Sequence, residues 1–171
     1  MLTPYPGTVS GERMRTLFGS VATPVFVVTA LDATGRPCGC TCNAVSAVSL
    51  DPPSLLVSLG HHSRTLAAVT AAGAFAVNFL AADGEAVARR FATSAPDKFA
   101  GVPHTVVGAE VAAPVLGAGV AGWAVCRVAR VVDVADHTVV FGEVMHVTSG
   151  DGPTLLAFRR TYLPAPPAGG A

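Results

Sequence analysis

Short apolar runs broken by turn-forming residues dominate the chain, and their period is mostly two. Pro24 to Leu31 is rich in β-branched residues and closes on Asp32-Ala-Thr-Gly35, a strong turn former. A partner strand from Pro37 to about Asn43 completes a hairpin. Ser54 to Leu59 predicts a third strand, placed after Asp51-Pro52-Pro53, which no helix crosses. Ala74 to Phe79 predicts another. Trp123 to Val134 and Thr138 to Thr148 predict a long hairpin interrupted at Asp136-His137. Helical spacing is confined to three stretches. Met14, Leu17 and Phe18 predict a helix over residues 10–20. Residues 63–72 predict a second, with Ser63 as N-cap and Gly73 as its stop. A third runs from a cap at Asp83 to Phe91. Many short strands with inserted helices, and no steady βαβ alternation, predict a mainly β protein built as a β-barrel. At 171 residues the chain is expected to form one domain over 1–171, with an irregular tail over 164–171.

Composition narrows the classes. Lys plus Arg and Asp plus Glu balance at eleven each, so nothing points to nucleic acid or an anionic membrane. No uninterrupted apolar window reaches about 18 residues, which argues against a membrane helix. The first residues lack a basic start followed by an apolar stretch, so a secretory signal is not expected and a cytoplasmic location is. Hydrophobic residues make up 51% of the chain, more than a core of this size needs, and the surplus predicts a homodimer.

Two patterns invite readings that their context denies. Cys38, Cys40 and Cys42 occupy every second position, which spreads them about 6.6–6.8 Å apart along one strand face. That is too stretched to chelate one ion, so they read as small apolar residues and no metal is expected. His61, His62, His104 and His146 also lack metal spacing with any carboxylate. Gly117-Ala-Gly119-Val-Ala-Gly122 matches the dinucleotide fingerprint, but a strand-like run follows it where a helix should begin. It reads as a glycine-rich loop feeding a strand.

The chemically rich stretch is Thr41-Cys-Asn43-Ala-Val-Ser46-Ala-Val-Ser49-Leu-Asp-Pro52-Pro53. Its short donors and acceptors suit either turns that satisfy their own backbone or the edge of a polar planar ring. Together with Pro24-Val-Phe-Val-Val-Thr before it and Ser63-Arg-Thr65 after it, this string resembles the flavin reductase family. The resemblance continues through Phe75-Ala-Val-Asn78-Phe-Leu, Asp97-Lys98-Phe99-Ala-Gly-Val, Cys126 and Asp136-His137-Thr-Val-Val-Phe-Gly142-Glu-Val, over about residues 14–163.

That resemblance implies the FMN-binding split barrel and an NAD(P)H:flavin oxidoreductase that passes reduced flavin to a separate flavin-dependent monooxygenase. It implies that Thr41, Cys42 and Asn43 border the flavin ring and that Ser46, Val48 and Ser49 line the ring and ribityl chain. Ser63, Arg64 and Thr65 would hold the phosphate, as a helix N-terminus beside a cation is suited to do. Asn78, Lys98 and Phe99 match positions near the far end of the flavin or the adenine of FAD. His137 matches a Gly-Asp-His position associated with the nicotinamide cofactor, although Ala135 replaces the glycine here. FAD and NADH are preferred over FMN and NADPH on resemblance alone. No catalytic side chain is required, because hydride passes directly between the cofactors. Two other readings stay open: a pyridoxamine-phosphate oxidase-like enzyme on the same barrel, and a non-catalytic flavin-binding or electron-carrier protein.

Overall fold

In the computed structural model, which describes residues 9–166, one carboxylate builds the first hairpin. Asp32 Oδ1 accepts from Thr34 Oγ1 at 2.6 Å, Thr34 N at 2.8 Å and Arg36 N at 3.0 Å. Led by the Thr34 hydroxyl, these bonds hold the Asp32 carboxyl down at about 2. The turn joins β2 (Phe26–Leu31) to β3 (Pro37–Cys42). Upstream lie α1 (Gly11–Gly19) and the two-residue β1 (Thr23–Pro24). After β3 come β4 (Val45–Leu50), β5 (Pro53–Gly60), α2 (Arg64–Ala72) and β6 (Ala74–Leu80). Then follow α3 (Glu85–Phe91), β7 (His104–Val107), β8 (Ala113–Leu116), β9 (Val120–Val134), β10 (His137–Ser149), β11 (Leu155–Phe158) and β12 (Thr161–Pro164).

The main sheet has seven strands in the order β3-β2-β6-β9-β10-β5-β4. Its two outermost strands, β3 and β4, are consecutive in the chain and joined only by Asn43 and Ala44. Laid flat, six strand spacings of about 4.8 Å would separate those edges by about 29 Å. Three Cα steps reach about 11 Å at most. The sheet must therefore curl until its edges nearly meet, giving a barrel split along the β3–β4 seam. β1, β11 and β12 form a separate small sheet, and β7 pairs with β8.

Alternation decides which side chains fill the barrel. Phe26 and Val28 of β2 point inward with Val57, Phe75, Val77, Cys126 and Val140, and Ala68 and Val69 of α2 pack against the same cluster. The opposite face of β2 is also covered, because Val25 and Val27 pack with Leu80, Phe91, Phe99 and Leu116. Cys38, Cys40 and Cys42 pack on the interior cluster, as their alternation predicts. Burial pushes the Cys42 thiol up to about 11 and the Cys126 thiol up to about 12.

Several expectations need correction. Val45–Leu50, assigned to no strand between Asn43 and Ser54, is the edge strand β4. Residue Gly84, not Asp83, holds the N-cap position of α3, and a Cβ there would meet the Gly119 carbonyl oxygen at 2.5 Å. The strands β7, β8, β11 and β12 were not anticipated; Pro164 closes β12, and residues 167–171 of the expected irregular tail lie outside the described residues. The loop through Gly117 and Gly119 leads into β9 and not into a helix. Among the described residues, no helix is long and apolar enough to cross a membrane.

Candidate functional site

A cleft forms where β5 gives way to α2. Ser63 takes the N-cap position in extended conformation (φ −72°, ψ 124°), yet its side chain makes no capping bond. The helix therefore starts with an uncommitted hydroxyl beside its free N–H groups, which favour an anion. Thr65, two residues on and within the first turn of α2, is buried at 3% exposure. Ser63, Arg64 and Thr65 line a cleft of about 220 Å³ with Gly39 and Cys40 of β3 and with Lys98. Phe99 forms its buried back, edge-on to Phe91 at 5.0 Å between centroids.

The cations of this cleft are already engaged. The Arg64 guanidinium donates to the carbonyls of Ala95 at 2.6 Å, Ser94 at 3.3 Å and Pro96 at 3.5 Å. Lys98 Nζ donates to Phe91 O at 2.9 Å and Gly39 O at 3.1 Å, and desolvation lowers the pKa of its ammonium group. Arg90 donates to the carbonyls of Lys98 and Ala100. The three side chains fasten the loop over residues 94–100 as one wall of the cleft. Arg64, expected to grip a phosphate, has most of its hydrogen-bonding fork on the loop and leaves its charge facing the cleft.

β3 leads from this cleft to the seam. Cys40 lines the cleft and Asn43 lies three residues on, about 10 Å at strand rise. Thr41 and Cys42 are half-buried between them. The Thr41 hydroxyl donates to Ala88 O at 2.6 Å and so ties β3 to α3, which leaves backbone groups as its free donors and acceptors. Asn43 is exposed, and its amide donates to Thr23 Oγ1 at 3.3 Å. On β4, Ser46 is exposed, Val48 is 50% exposed and Ser49 is half-buried, with its hydroxyl donating to Asp51 O. Across β5, His137 pairs in register with Gly60, three residues before Ser63. Its Nδ1 lies 2.8 Å from Asp136 Oδ1, and this contact leads in holding the Asp136 carboxyl below its ordinary value.

Asn78 departs from its expected place. It is fully buried, donating to Val27 O at 3.0 Å and Thr29 Oγ1 at 3.1 Å and accepting from Leu116 N at 2.8 Å. Saturated and enclosed, it stitches β2, β6 and β8 together and offers nothing to a ligand.

A basic groove not anticipated from the sequence runs along the far side of Asn43. Asn43, Thr23, Phe18, Arg15, Arg159 and Arg160 line about 240 Å³ of it. It opens outward into a wider space bordered by Glu12, Thr16 and Ser20 and the same three arginines. Arg159 and Arg160 form the two-residue turn between β11 and β12, at φ +48° and +66°. Two positive φ angles in such a hairpin normally call for Asn-Gly, and each costs a non-glycine residue on the order of 1 kcal/mol.

Comparison with known proteins agrees with this architecture. Residues 18–166 match the flavin reductase like domain. The chain is 41% identical over 161 residues to an NADH flavin reductase of Kitasatospora aureofaciens, covering 92% of this chain and 83% of that one. It is 34% identical over 155 residues to the reductase subunit of a flavin-dependent monooxygenase of Rhodococcus jostii, covering 90% of this chain and 77% of the other. An NADH:FAD oxidoreductase of Streptomyces globisporus, solved with NAD and FAD fragments, superposes with a TM-score of 0.80 at 33% identity, over 88% of this chain and 90% of that one. Other matched proteins are longer, and the chain spans 41% and 53% of two of them.

Proposed function

The chain belongs to the flavin reductase-like family, and from that premise we propose that it is an NAD(P)H:flavin oxidoreductase supplying reduced flavin to a separate monooxygenase component. The observation that carries this reading is the uncapped Ser63 turn, joined by β3 to the polar seam about 10 Å away. The donor set fits a flavin phosphate: the N–H groups opening α2, the Ser63 and Thr65 hydroxyls, and the remaining N–H of Lys98. When bound, the flavin supplies the two-electron chemistry by accepting hydride from the nicotinamide.

The protein's own residues bind and orient. Lys98 and Arg64 keep the 94–100 loop against β3, so the phosphate cleft is formed in advance. Backbone groups of Thr41, Cys42 and Asn43 would meet the ring edge that gains negative charge, where N–H donors serve without a titrating side chain. Ser46, Val48 and Ser49 on β4 would border the ring from the other side of the seam. Phe99 backs the cleft, and His137, which contacts Asp136, would stand at the nicotinamide side. FAD and NADH are the preferred pair, and a cytoplasmic setting suits a reductase fed by the NADH pool.

A homodimer completes the reading. Met14, Leu17 and Phe18 of α1 are 49–61% exposed, and Leu50 on β4 is 90% exposed. A nine-residue helix with no buried residue of its own needs such a cover. Sedimentation equilibrium should return twice the chain mass. The decisive experiment is NADH oxidation by the purified protein with and without micromolar FAD or FMN. Strong stimulation is expected, and a background rate with both flavins would leave a binding or carrier role instead.

A further inference from the structure

We propose that the groove between α1 and the β11–β12 turn seats the diphosphate of the nicotinamide dinucleotide, held by Arg15, Arg159 and Arg160. The inference rests on the reductase reading and adds a second anion site to it. Three arginines from two elements line one groove, and none has a carboxylate partner among the described residues. Such a cluster repels itself unless an anion lies between its members.

Position supports a dinucleotide. The groove begins at Asn43, whose amide bonds Thr23, and Thr23 pairs with Ala157 of β11. The arginine turn starts two residues farther on, about 7 Å along the strand. A ring stacked at the seam would therefore send its charged arm toward these arginines, whereas the flavin phosphate has its own cleft beyond Cys40. The turn is held in place, because Arg159 N donates to Gly19 O at 3.0 Å and its guanidinium lies 5.2 Å from the Phe158 ring centroid. Glu12 borders only the wider outer end, where its charge would exclude an anion and confine it to the inner part. The turn chemistry adds an independent argument. Arginines occupy the two left-handed positions that Asn-Gly would fill without strain, which indicates that their side chains are needed there.

The test replaces the turn by its relaxed form, Arg159→Asn with Arg160→Gly, and titrates ADP-ribose by calorimetry. ADP-ribose carries the diphosphate and needs no turnover. Wild-type protein should bind it with an affinity that falls as salt rises. The variant should melt no lower than wild type, bind ADP-ribose at least tenfold more weakly and show a similar rise in KM for NADH. FMN and FAD affinities should stay within twofold. Arg15→Gln, at a position of α1 exposed in the single chain, should weaken ADP-ribose several-fold and guards against a turn variant that fails to fold. No ADP-ribose binding by wild type, or unchanged binding in both variants, overturns the proposal. Loss of FAD affinity with ADP-ribose unchanged also overturns it, by giving the groove to the flavin. Failure of the reductase reading is a separate result: no flavin-dependent NADH oxidation by wild type.

Discussion

Two cationic regions flank the seam, and they use charge in opposite ways. Around the α2 cleft, Arg64, Arg90 and Lys98 spend their donors on seven backbone carbonyls and hold a loop in shape. In the groove by α1, Arg15, Arg159 and Arg160 have no ion-pair partner among the described residues, and two of them sit on strained backbone. Engaged cations build a wall, and the ligand contact falls mostly to neutral hydroxyls and N–H groups beside it, with one N–H of Lys98 left over. Cations without a carboxylate or carbonyl partner among the described residues keep their N–H donors for a ligand. Proximity of an arginine to a cleft therefore does not make it a ligand; its hydrogen-bond list does.

The sharpest way to break this contrast is to remove the neutral donors. Changing Ser63 and Thr65 together to alanine should lower flavin affinity tenfold or more, since a hydrogen bond to a charged acceptor contributes roughly 1.5–3 kcal/mol. Fluorescence titration reads this, and unchanged binding would move the phosphate off the α2 turn. Arg64→Ala comes next. It should release the loop, cost about 1 kcal/mol of stability after allowance for its exposure, and weaken flavin several-fold. Arg15→Ala should leave the denaturation midpoint within about 0.5 kcal/mol of wild type. Equal destabilisation by both changes would erase the distinction between wall and contact.

His137→Ala is expected to raise the KM for NADH a few-fold while leaving flavin affinity unchanged, as measured with flavin saturating. Weakened flavin with NADH spared would remove His137 from the nicotinamide side. The smallest effect is on pH. Burial holds the Lys98 pKa below 10.5, so in the window under 10.5 the unfolded chain binds more protons than the folded one. Stability of the ligand-free protein should accordingly rise gently with pH there, and Lys98→Met should flatten that rise in a series of denaturant midpoints.

The strands legible in the sequence were those with one consistent face. In β5, Leu55, Val57 and Leu59 alternate with less buried residues, and the pattern announced itself. β8 hid because all four of its residues are buried and one is proline, leaving no period to read. β4 hid because an edge strand with exposed Ser46, Ala47 and Val48 looks like a polar loop. Of the site, the α2 turn and the seam were legible as local polar clusters. Asn78 reads in the sequence as a free amide because the partners that occupy it lie 38 to 51 residues away. The arginine groove was invisible for the same reason, since Arg15 meets Arg159 and Arg160 only after folding.

The two-residue link across the seam also governs how the barrel breathes. Every other strand of the main sheet is hydrogen-bonded on both sides, whereas β3 and β4 each have a ladder on one side only. Local opening should concentrate there, at free energies well below that of global unfolding. Within the main sheet, amide exchange is then expected to be fastest along Thr41–Ser49 and slowest in β6 and β9. A molecule that must surrender its flavin after each cycle would thus have its loosest backbone under the ring, and the exit rate would follow the opening rate of a single unzipped edge.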